Sequence, residues 1–412
     1  MQAYDAIIIG GGASGLIAAC ALARKGRRVV LLEKQDRVGR KLLSTGNGRC
    51  NLTNLGADAG DYHGSRQAAR AALKAWPPKK VLAFFDALGI PSTADEAGRA
   101  YPMSHQAASV LDALRLGCDE AGATTLTGFR VTRLIPQGGG FEARAEDGRS
   151  VRGRLALVCT GGLAAPKLGA CGDGYRLLEA LGHALIPRHP AIAALKTAPE
   201  AVRGLKGIRA EGELSLLADG ETLRVEAGEM LFGEGSVSGI AAMQLARQTG
   251  DALRAGSPCA LRLNFTPGID PEELLVKRAE ELPRRALEDF LNGIVPKRLG
   301  QALVRDAGLD MALPAGRLDR AALGRLAGRL GGWRLPVLGT MDFDQAQVTA
   351  GGASLKDFDI RCLRSLRVPG LYAAGEVLDV DGDCGGFNLQ WAWSSALLAA
   401  DAMDGALSNS TR

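Results

Sequence analysis

Histidine is scarce in this chain, with four in 412 residues. The eight cysteines stand at 20, 50, 118, 159, 171, 259, 362 and 384, and none forms Cys-x-x-Cys. Neither a structural zinc site nor a disulfide framework is expected, and no metal ligand is assigned. Aromatic residues make up only 5%, and neither charge sign dominates: 50 Lys and Arg face 45 Asp and Glu, for a net charge of +5. That balance permits an anionic partner such as a nucleotide or RNA without requiring one. No apolar run approaches the roughly 18 residues of a membrane span, so no membrane partner is expected. The first apolar run, Ala6-Ile7-Ile8-Ile9, passes straight into glycines. It reads as a folded strand rather than a secretory leader, and a cytoplasmic location is the expectation.

What the chain does have is length and glycine. At 412 residues it exceeds one ordinary core, so two or three domains are expected. A composition of 46% hydrophobic and 23% charged residues belongs to a globular protein. The 55 glycines announce many tight turns and close backbone approaches.

Residues 4–10 are strand-like, 13–26 helical and 28–33 strand-like again, the βαβ order of a dinucleotide-binding fold. Residues 42–54 form a Gly/Asn/Thr/Ser loop without periodicity. A helix is predicted over 104–121, then short strands at 131–135, 141–145 and 150–152, a buried strand at 155–159 and a helix at 174–182. The character changes near Pro187. Residues 188–265 carry short strands, including 213–217 and 223–226, and one helical stretch at 240–249. Residues 266–335 are helical and rich in arginine, and the strand-and-glycine pattern returns from about Pro336. The chain therefore divides into a nucleotide-binding domain at 1–187 and 336–412 and an insertion at 188–335.

Gly10-Gly11-Gly12-Ala13-Ser14-Gly15 is a G-x-G-x-x-G that follows a strand and opens a helix. Gly10 suits the tight turn, Gly12 admits a pyrophosphate to the backbone, and Gly15 lets helix and strand pack closely. The helix N-terminus offers N–H groups to the anion. Glu33 ends the next strand, where a carboxylate can accept from a ribose hydroxyl. Two distant segments distinguish FAD from NAD: a strand ending in Thr160-Gly161-Gly162, and Leu371-Tyr372-Ala373-Ala374 ending in Gly375-Glu376. Two-domain flavoproteins look like this, with the Gly-acid pair meeting the ribityl and pyrophosphate region. Last comes Asp381 through Leu389, with Gly385-Gly386-Phe387-Asn388 leading into a helix predicted at 390–403. A helix N-terminus there carries about half a positive charge, which favours the anionic reduced flavin.

The runs 39–54 (Gly-Arg-Lys-Leu through Ser-Thr-Gly-Asn-Gly-Arg-Cys-Asn-Leu-Thr-Asn) and 375–393 resemble signature segments of the BaiN-like and aminoacetone-oxidase-like flavoproteins. Gly98-Arg99-Ala100-Tyr101-Pro102 and Gly228-Glu229-Met230-Leu231-Phe232 are similar to that family too. The resemblance covers nearly the whole chain. It implies an α/β fold with one Rossmann-type FAD-binding domain, glutathione-reductase-like but with a single dinucleotide site, and an inserted domain of β-barrel plus helices. The cofactor-facing set it implies is Gly10, Gly12, Ala13, Ser14, Gly15, Glu33, Lys34, Arg40, Lys41, Leu42, Thr45, Gly46, Asn47, Gly48, Arg49, Cys50, Asn51, Val131, Thr160, Gly161, Gly162, Gly375, Glu376, Asp379, Gly385, Gly386, Phe387, Asn388 and Leu389. The chain departs from the family after Phe232. It reads Gly233-Glu234-Gly235-Ser236-Val237-Ser238-Gly239-Ile240 where a Thr-His-x-Gly-x-Ser-Gly-Pro pattern is usual.

With one G-x-G-x-x-G and no second cysteine beside Cys50 in the sequence, dithiol chemistry is not expected. Either NAD(P)H reduces the flavin as a transient partner, or a substrate does so with oxygen as acceptor. The expected substrate is a small organic molecule, which the sequence does not name. The alternative is uridine in ribosomal RNA, reduced to dihydrouridine, a role attached to relatives of the family. The arginines at 278, 284, 285, 298, 305, 317, 320, 325 and 329 could meet phosphates, or simply form a solvated face among acidic neighbours. No residue is assigned as catalytic; Cys50, Tyr101, His105 and His189 are candidates, each with a structural or packing role as its alternative.

Overall fold

The computed structural model describes residues 4–409. By contact, the chain separates into two units, one of residues 1–189 and 348–412 and the other of residues 190–347.

The first unit is built on a nine-stranded sheet. Strand β1 (Tyr4–Ile9) lies between two parallel neighbours, β2 (Val29–Leu32) and the strand Ser150–Val158. Ile7 stands opposite Val30, and Ala6 opposite Leu155. Thr124–Leu126 extends the sheet beyond β2, and Leu371–Ala373 runs parallel to Ser150–Val158 on the other side. A hairpin of Val131–Gln137 and Gly140–Ala145 adds antiparallel to the first half of Ser150–Val158. That strand is continuous, where the sequence pattern suggests two pieces. Gly153 keeps it intact, since a Cβ there would fall 2.6 Å from Ile7 Cγ1.

Helix α1 (Ala13–Arg24) connects β1 to β2. It has no polar stripe, and residues 14–23 are all buried, as expected of a helix apolar on every side. Its alanines let it pack closely on α-helical neighbours, among them the C-terminal helix Phe387–Asn409. That helix starts three residues earlier and ends six later than the predicted 390–403. The expected loop 42–54 also has regular structure: helix α2 (Arg40–Ser44), a 3-10 turn at Thr45–Gly48 and the short strand Thr53–Asn54. A helix of five residues carries no periodicity to read; tertiary contacts hold it, with Leu42 buried and Gly39 against Leu111.

The second unit is a closed six-stranded antiparallel barrel with helices. Around the barrel run Leu195–Thr197, Ser236–Ser238, Glu221–Phe232, Arg209–Ala218, Cys259–Asn264 and Trp333–Thr340, the last pairing back onto the first. The boundary expected at 336 thus falls inside the closing strand, because a barrel needs its last strand to lose its edge. The predicted helix 240–249 is two, Ile240–Gln244 and Ala246–Arg254. Among the helices between the last two strands, Lys297–Asp306 buries Leu299, Gly300, Leu303 and Val304 on one face. Asp270 and Asp319 cap the helices Pro271–Glu281 and Arg320–Gly332 by accepting from backbone N–H groups.

Candidate dinucleotide-binding site

The glycine turn has the geometry its spacing foretold. Gly10 takes φ +106°, and a Cβ on Gly15 would stand 1.8 Å from Gly10 O, so strand end and helix start touch. Gly12 is different. No atom lies within 4 Å of where its Cβ would be, so the space in front of it is open. Glu33 Oε2 accepts from Gly11 N at 2.8 Å and Oε1 from Gln35 N at 2.8 Å. The carboxylate therefore braces the turn it faces, and its remaining lone pairs can still accept from a sugar hydroxyl.

The segment 39–54 contributes a run of left-handed residues: Gly46, Asn47, Gly48 and Cys50 all have positive φ. Thr45 Oγ1 donates to Leu42 O and Cys50 N to Thr45 O, closing the turn. Residues 46–49 are exposed while Cys50 is buried. Burial pushes the Cys50 thiol up to about 12, against a smaller opposing effect of its hydrogen bond with Thr45. Arg49 lies over the Tyr101 ring at 5.1 Å, and Tyr101 sits 5.7 Å from the exposed His105. The piece 98–102 comes to this loop because the strand Arg99–Pro102 pairs with Thr53–Asn54. His189 is buried, away from solvent.

Thr160, Gly161 and Gly162 come directly after Ser150–Val158 and Cys159 and lie against the same turn: Gly10 faces Cys159 O and Thr160 Cα. Thr160 Oγ1 is buried and has no hydrogen-bond partner. A residue outside the expected set, Thr349, organises this turn and its neighbours. Thr349 Oγ1 accepts from Leu163 N and Ala164 N at 2.8 and 2.9 Å, while Thr349 N donates to Glu376 Oε1 at 2.9 Å. Glu376 Oε2 in turn pairs with Lys41 at 2.8 Å. Lys41 and Glu376 are thus brought together, across 335 positions of sequence. Only the polarity of Thr349 within the buried strand Val348–Ala353 could have signalled its role.

Gly375 closes on α1: at φ +78°, a Cβ there would be 2.2 Å from Ser14 Oγ. Its N–H donates to Ser395 Oγ, and its carbonyl accepts from Trp391 Nε1. The turn ahead of the C-terminal helix is clamped at several points. Asn388 Oδ1 accepts from Gly382 N at 2.9 Å and Nδ2 donates to Gly382 O at 2.7 Å. Tyr62 OH donates to Phe387 O at 3.0 Å, and His63 Nε2 lies 2.8 Å from Asp383 Oδ1. Gly386 (φ +105°) faces Thr53 and Asn51, and Asn51 Oδ1 is another buried acceptor without a partner. Asp379 supports this turn from behind, its carbonyl accepting from Ser65 N. His63, Tyr62 and Thr349 escaped sequence reasoning, since each acts through a partner far along the chain, and so did Ser395, which acts on Gly375 from within the helix.

At the other end, Lys34 meets Asp173 at 3.3 Å, and Arg40 donates to Gln35 Oε1 at 2.8 Å. Burial raises the Asp173 carboxyl, but hydrogen bonds from Arg130 and Cys171 and the Lys34 charge outweigh it and hold the group well below the ordinary carboxylate range. Val131 is buried at the start of its strand, while Leu389 is half-buried in the first turn of the C-terminal helix.

The expected cofactor set therefore lies within one unit. Its parts touch at Gly10–Cys159, Gly375–Ser14, Gly162–Glu376 and Gly386–Thr53. Two orphaned buried polar atoms, open space before Gly12 and two helix N-termini fit an elongated, phosphate-bearing ligand such as FAD. The arginines of 278–334 belong to the other unit. Arg278 is structural, donating to Phe290 O and Asn292 O, and Arg329 pairs with Asp306. Arg284, Arg285, Arg298, Arg305, Arg317 and Arg334 are exposed. Among the described residues no helix is long and apolar enough to cross a membrane.

Comparison with known proteins accords with this arrangement. The chain is 38% identical to a 3-dehydro-bile acid delta(4,6)-reductase of Clostridium scindens, over 96% of this chain and 98% of that protein. It is 30% identical to a ribosomal RNA dihydrouridine synthase of Escherichia coli, over 99% and 100%. In fold it is similar to a 3-ketosteroid delta1-dehydrogenase from Sterolibacterium denitrificans, with a TM-score of 0.54, 14% identity and coverage of 98% and 100%. The HI0933-like protein Rossmann domain matches residues 4–402. The chain belongs to the HI0933-like family of flavin-dependent oxidoreductases, whose Rossmann fold binds FAD.

Proposed function

We propose that this protein is an FAD-dependent reductase of a carbon–carbon double bond conjugated to a carbonyl, acting on a small organic substrate with NAD(P)H as transient reductant. The full-length likeness to a 3-dehydro-bile acid reductase carries this reading. It gains support from the second relative, because reducing uridine to dihydrouridine is the same reaction type: hydride to the carbon remote from the carbonyl, a proton to its neighbour. One chain with one dinucleotide turn suits alternate use of a single flavin face by NAD(P)H and substrate.

Bound FAD would supply a hydride acceptor and donor. Around it, Gly12, Ala13 and Ser14 would hold the pyrophosphate at the α1 N-terminus. Glu33 would accept from the adenosine ribose while bracing Gly11. The pair Lys41–Glu376 and Thr349 would fix the Thr160–Gly162 turn and Gly375 beside it. Gly385 and Gly386 would set the pyrimidine edge of the flavin at the N-terminus of Phe387–Asn409, whose dipole favours negative charge there. The exposed residues 46–49 would border the reacting face, with Tyr101 as candidate proton donor under the Arg49 guanidinium. Cys50, with its thiol raised to about 12, keeps its proton and serves to pack the loop.

The test is anaerobic. Purified protein should be yellow and release FAD on denaturation, and NADH or NADPH should bleach the flavin. A steroid-like 3-oxo-4-ene should then restore the oxidised spectrum in stoichiometric yield. Bleaching by neither nicotinamide overturns the reductase reading. Reoxidation by ribosomal RNA but not by any enone would replace the substrate with uridine, the second reading, which the exposed arginines of the barrel unit favour.

A further inference from the structure

Lys34 and Cys171 are brought together from segments 137 positions apart. Lys34 comes just after β2 and Glu33, while Cys171 precedes the helix Asp173–Ala180. Lys34 Nζ contacts Cys171 Sγ directly. Asp173 Oδ2 holds both, accepting from Cys171 Sγ at 2.8 Å and from Lys34 Nζ at 3.3 Å. Arg130 and Arg176 engage the same carboxylate, which keeps it ionised and in place. The backbone beside the sulfur makes a close turn, since Gly172 takes φ +73° and a Cβ there would crowd Leu163 and Tyr175. Lys34 is partly exposed at 23% and Cys171 is half-buried, whereas Cys20, Cys50, Cys118, Cys159 and Cys259 are buried. A small oxidant can therefore reach this thiol while its nearest partner is an amine rather than a second thiol.

We propose that Lys34 and Cys171 form an oxidative cross-linking site, at which hydrogen peroxide joins the cysteine sulfur to the lysine nitrogen. Peroxide transfers one oxygen to sulfur, giving a sulfenic acid and one water. The Lys34 amine, having released its ammonium proton to solvent, displaces the sulfenic oxygen as a second water and forms the S–N bond. Thiol, amine and one peroxide thus become one link and two waters; sulfur loses two electrons and peroxide gains them. A second peroxide would leave one oxygen between the two atoms (S–O–N), with three waters formed in all. Either product staples the turn before Asp173 to the residue after Glu33, and neither depends on the flavin reading.

The experiment treats the purified full chain with hydrogen peroxide and digests it without reductant for mass spectrometry. The expected product joins the Lys34 and Cys171 peptides, with a loss of two hydrogens or with that loss plus one oxygen. A thiol reductant should separate them. The intact protein should show a higher Tm that the same reductant reverses. Lys34→Arg keeps a cation beside Asp173 but removes the amine, and Cys171→Ser removes the sulfur; each should abolish link and Tm rise while melting cooperatively untreated. Unlinked Cys171 sulfinic acid in the wild type would overturn the proposal. So would an unmodified Cys171 at a peroxide dose that oxidises Cys362 or Cys384.

Discussion

Positive-φ glycines occur in both units and are of two kinds: some, such as Gly26, Gly122 and Gly182 in the Rossmann unit, turn in open space, and others turn against close neighbours. In the barrel unit Gly220, Gly256 and Gly308 turn in open space, with no atom within 4 Å of a would-be Cβ. In the Rossmann unit Gly10, Gly375 and Gly386 turn against backbone or side chains closer than 3 Å. The first kind serves the chain path alone; the second lets two segments meet where a ligand is to be held. Gly239 in the barrel unit, 2.2 Å from Glu229 O by the same measure, lies where the family pattern is broken by loss of its His and Pro. Covered ion pairs also occur in both units, Arg224 with Glu226 in the barrel unit among them, but their depth differs from pair to pair. Asp173 and Asp359 of the Rossmann unit are mostly covered and held low by arginines, while Asp289 of the barrel unit pairs with an exposed Lys297.

The sharpest way to break this contrast is to add a side chain at a crowded glycine, the strongest case being Gly15 inside α1, and at an open one. Gly15→Val should prevent accumulation of folded yellow protein, because its Cβ would meet Gly10 O at 1.8 Å. Gly220→Ala should cost only roughly 1–2 kcal/mol by denaturant titration, the ordinary strain of a left-handed alanine. If both substitutions proved equally mild, close approach would not distinguish the two kinds of glycine. Gly12→Val isolates the ligand. Its backbone is extended (φ −83°, ψ −166°) and its surroundings are empty. FAD should be lost while the Tm of the flavin-free protein stays unchanged, and a drop in that Tm would locate the defect in the fold instead.

Glu33→Ala should weaken FAD by about 1.5–3 kcal/mol, roughly tenfold to 150-fold in Kd, through one lost charge-assisted hydrogen bond. Unchanged affinity in equilibrium dialysis would remove the ribose assignment. Acid sensitivity should track the covered carboxylates Asp173 and Asp359 most strongly. The Arg361 hydrogen bond holds Asp359 at about 2, and Asp173 is lowered further by Arg130, Cys171 and Lys34 against the cost of burial. For a carboxyl depressed on folding, the stabilisation is complete above its unfolded pKa, near 4, and fades as pH falls through the folded value. Asp173→Asn and Asp359→Asn should flatten the fall in stability below pH ~4, and Asp289→Asn, whose carboxyl is also held low by Lys297 but stands open to solvent screening, should flatten it less. The smallest effect belongs to exposed arginines. Arg284→Ala and Arg298→Ala should change stability by less than about 0.5 kcal/mol. Any RNA affinity should lose salt dependence with each contact removed, by about 0.7 in the logarithmic slope for single strands. No salt-dependent RNA binding by the unaltered protein would leave those arginines as a solvated face.

The βαβ entry, the glycine turn, Glu33 and the presence of a glycine turn before the last helix were legible because each is written in consecutive residues. Six or so positions of turn chemistry specify local φ and ψ wherever the segment ends up. Reading stopped where structure was too short to show a period, as in α2, or where a strand switched from edge to centre, as at Gly153. The closing strand Trp333–Thr340 was split by the expected boundary because nothing local distinguishes a barrel's last strand from the first strand of the next domain.

By itself the sequence determined that a dinucleotide-type turn exists, that the family's loop segments are present, and that glycines stand where backbones would have to approach. Only the tertiary structure decided which side chains complete them: Thr349 under the Thr160–Gly162 turn, Lys41 against Glu376, His63 against Asp383, Lys34 against Cys171. The reason is physical. Backbone preference is a property of neighbours in sequence, whereas a hydrogen bond between residues remote in sequence exists only once packing has brought both ends to the same place and excluded the water that would otherwise satisfy them.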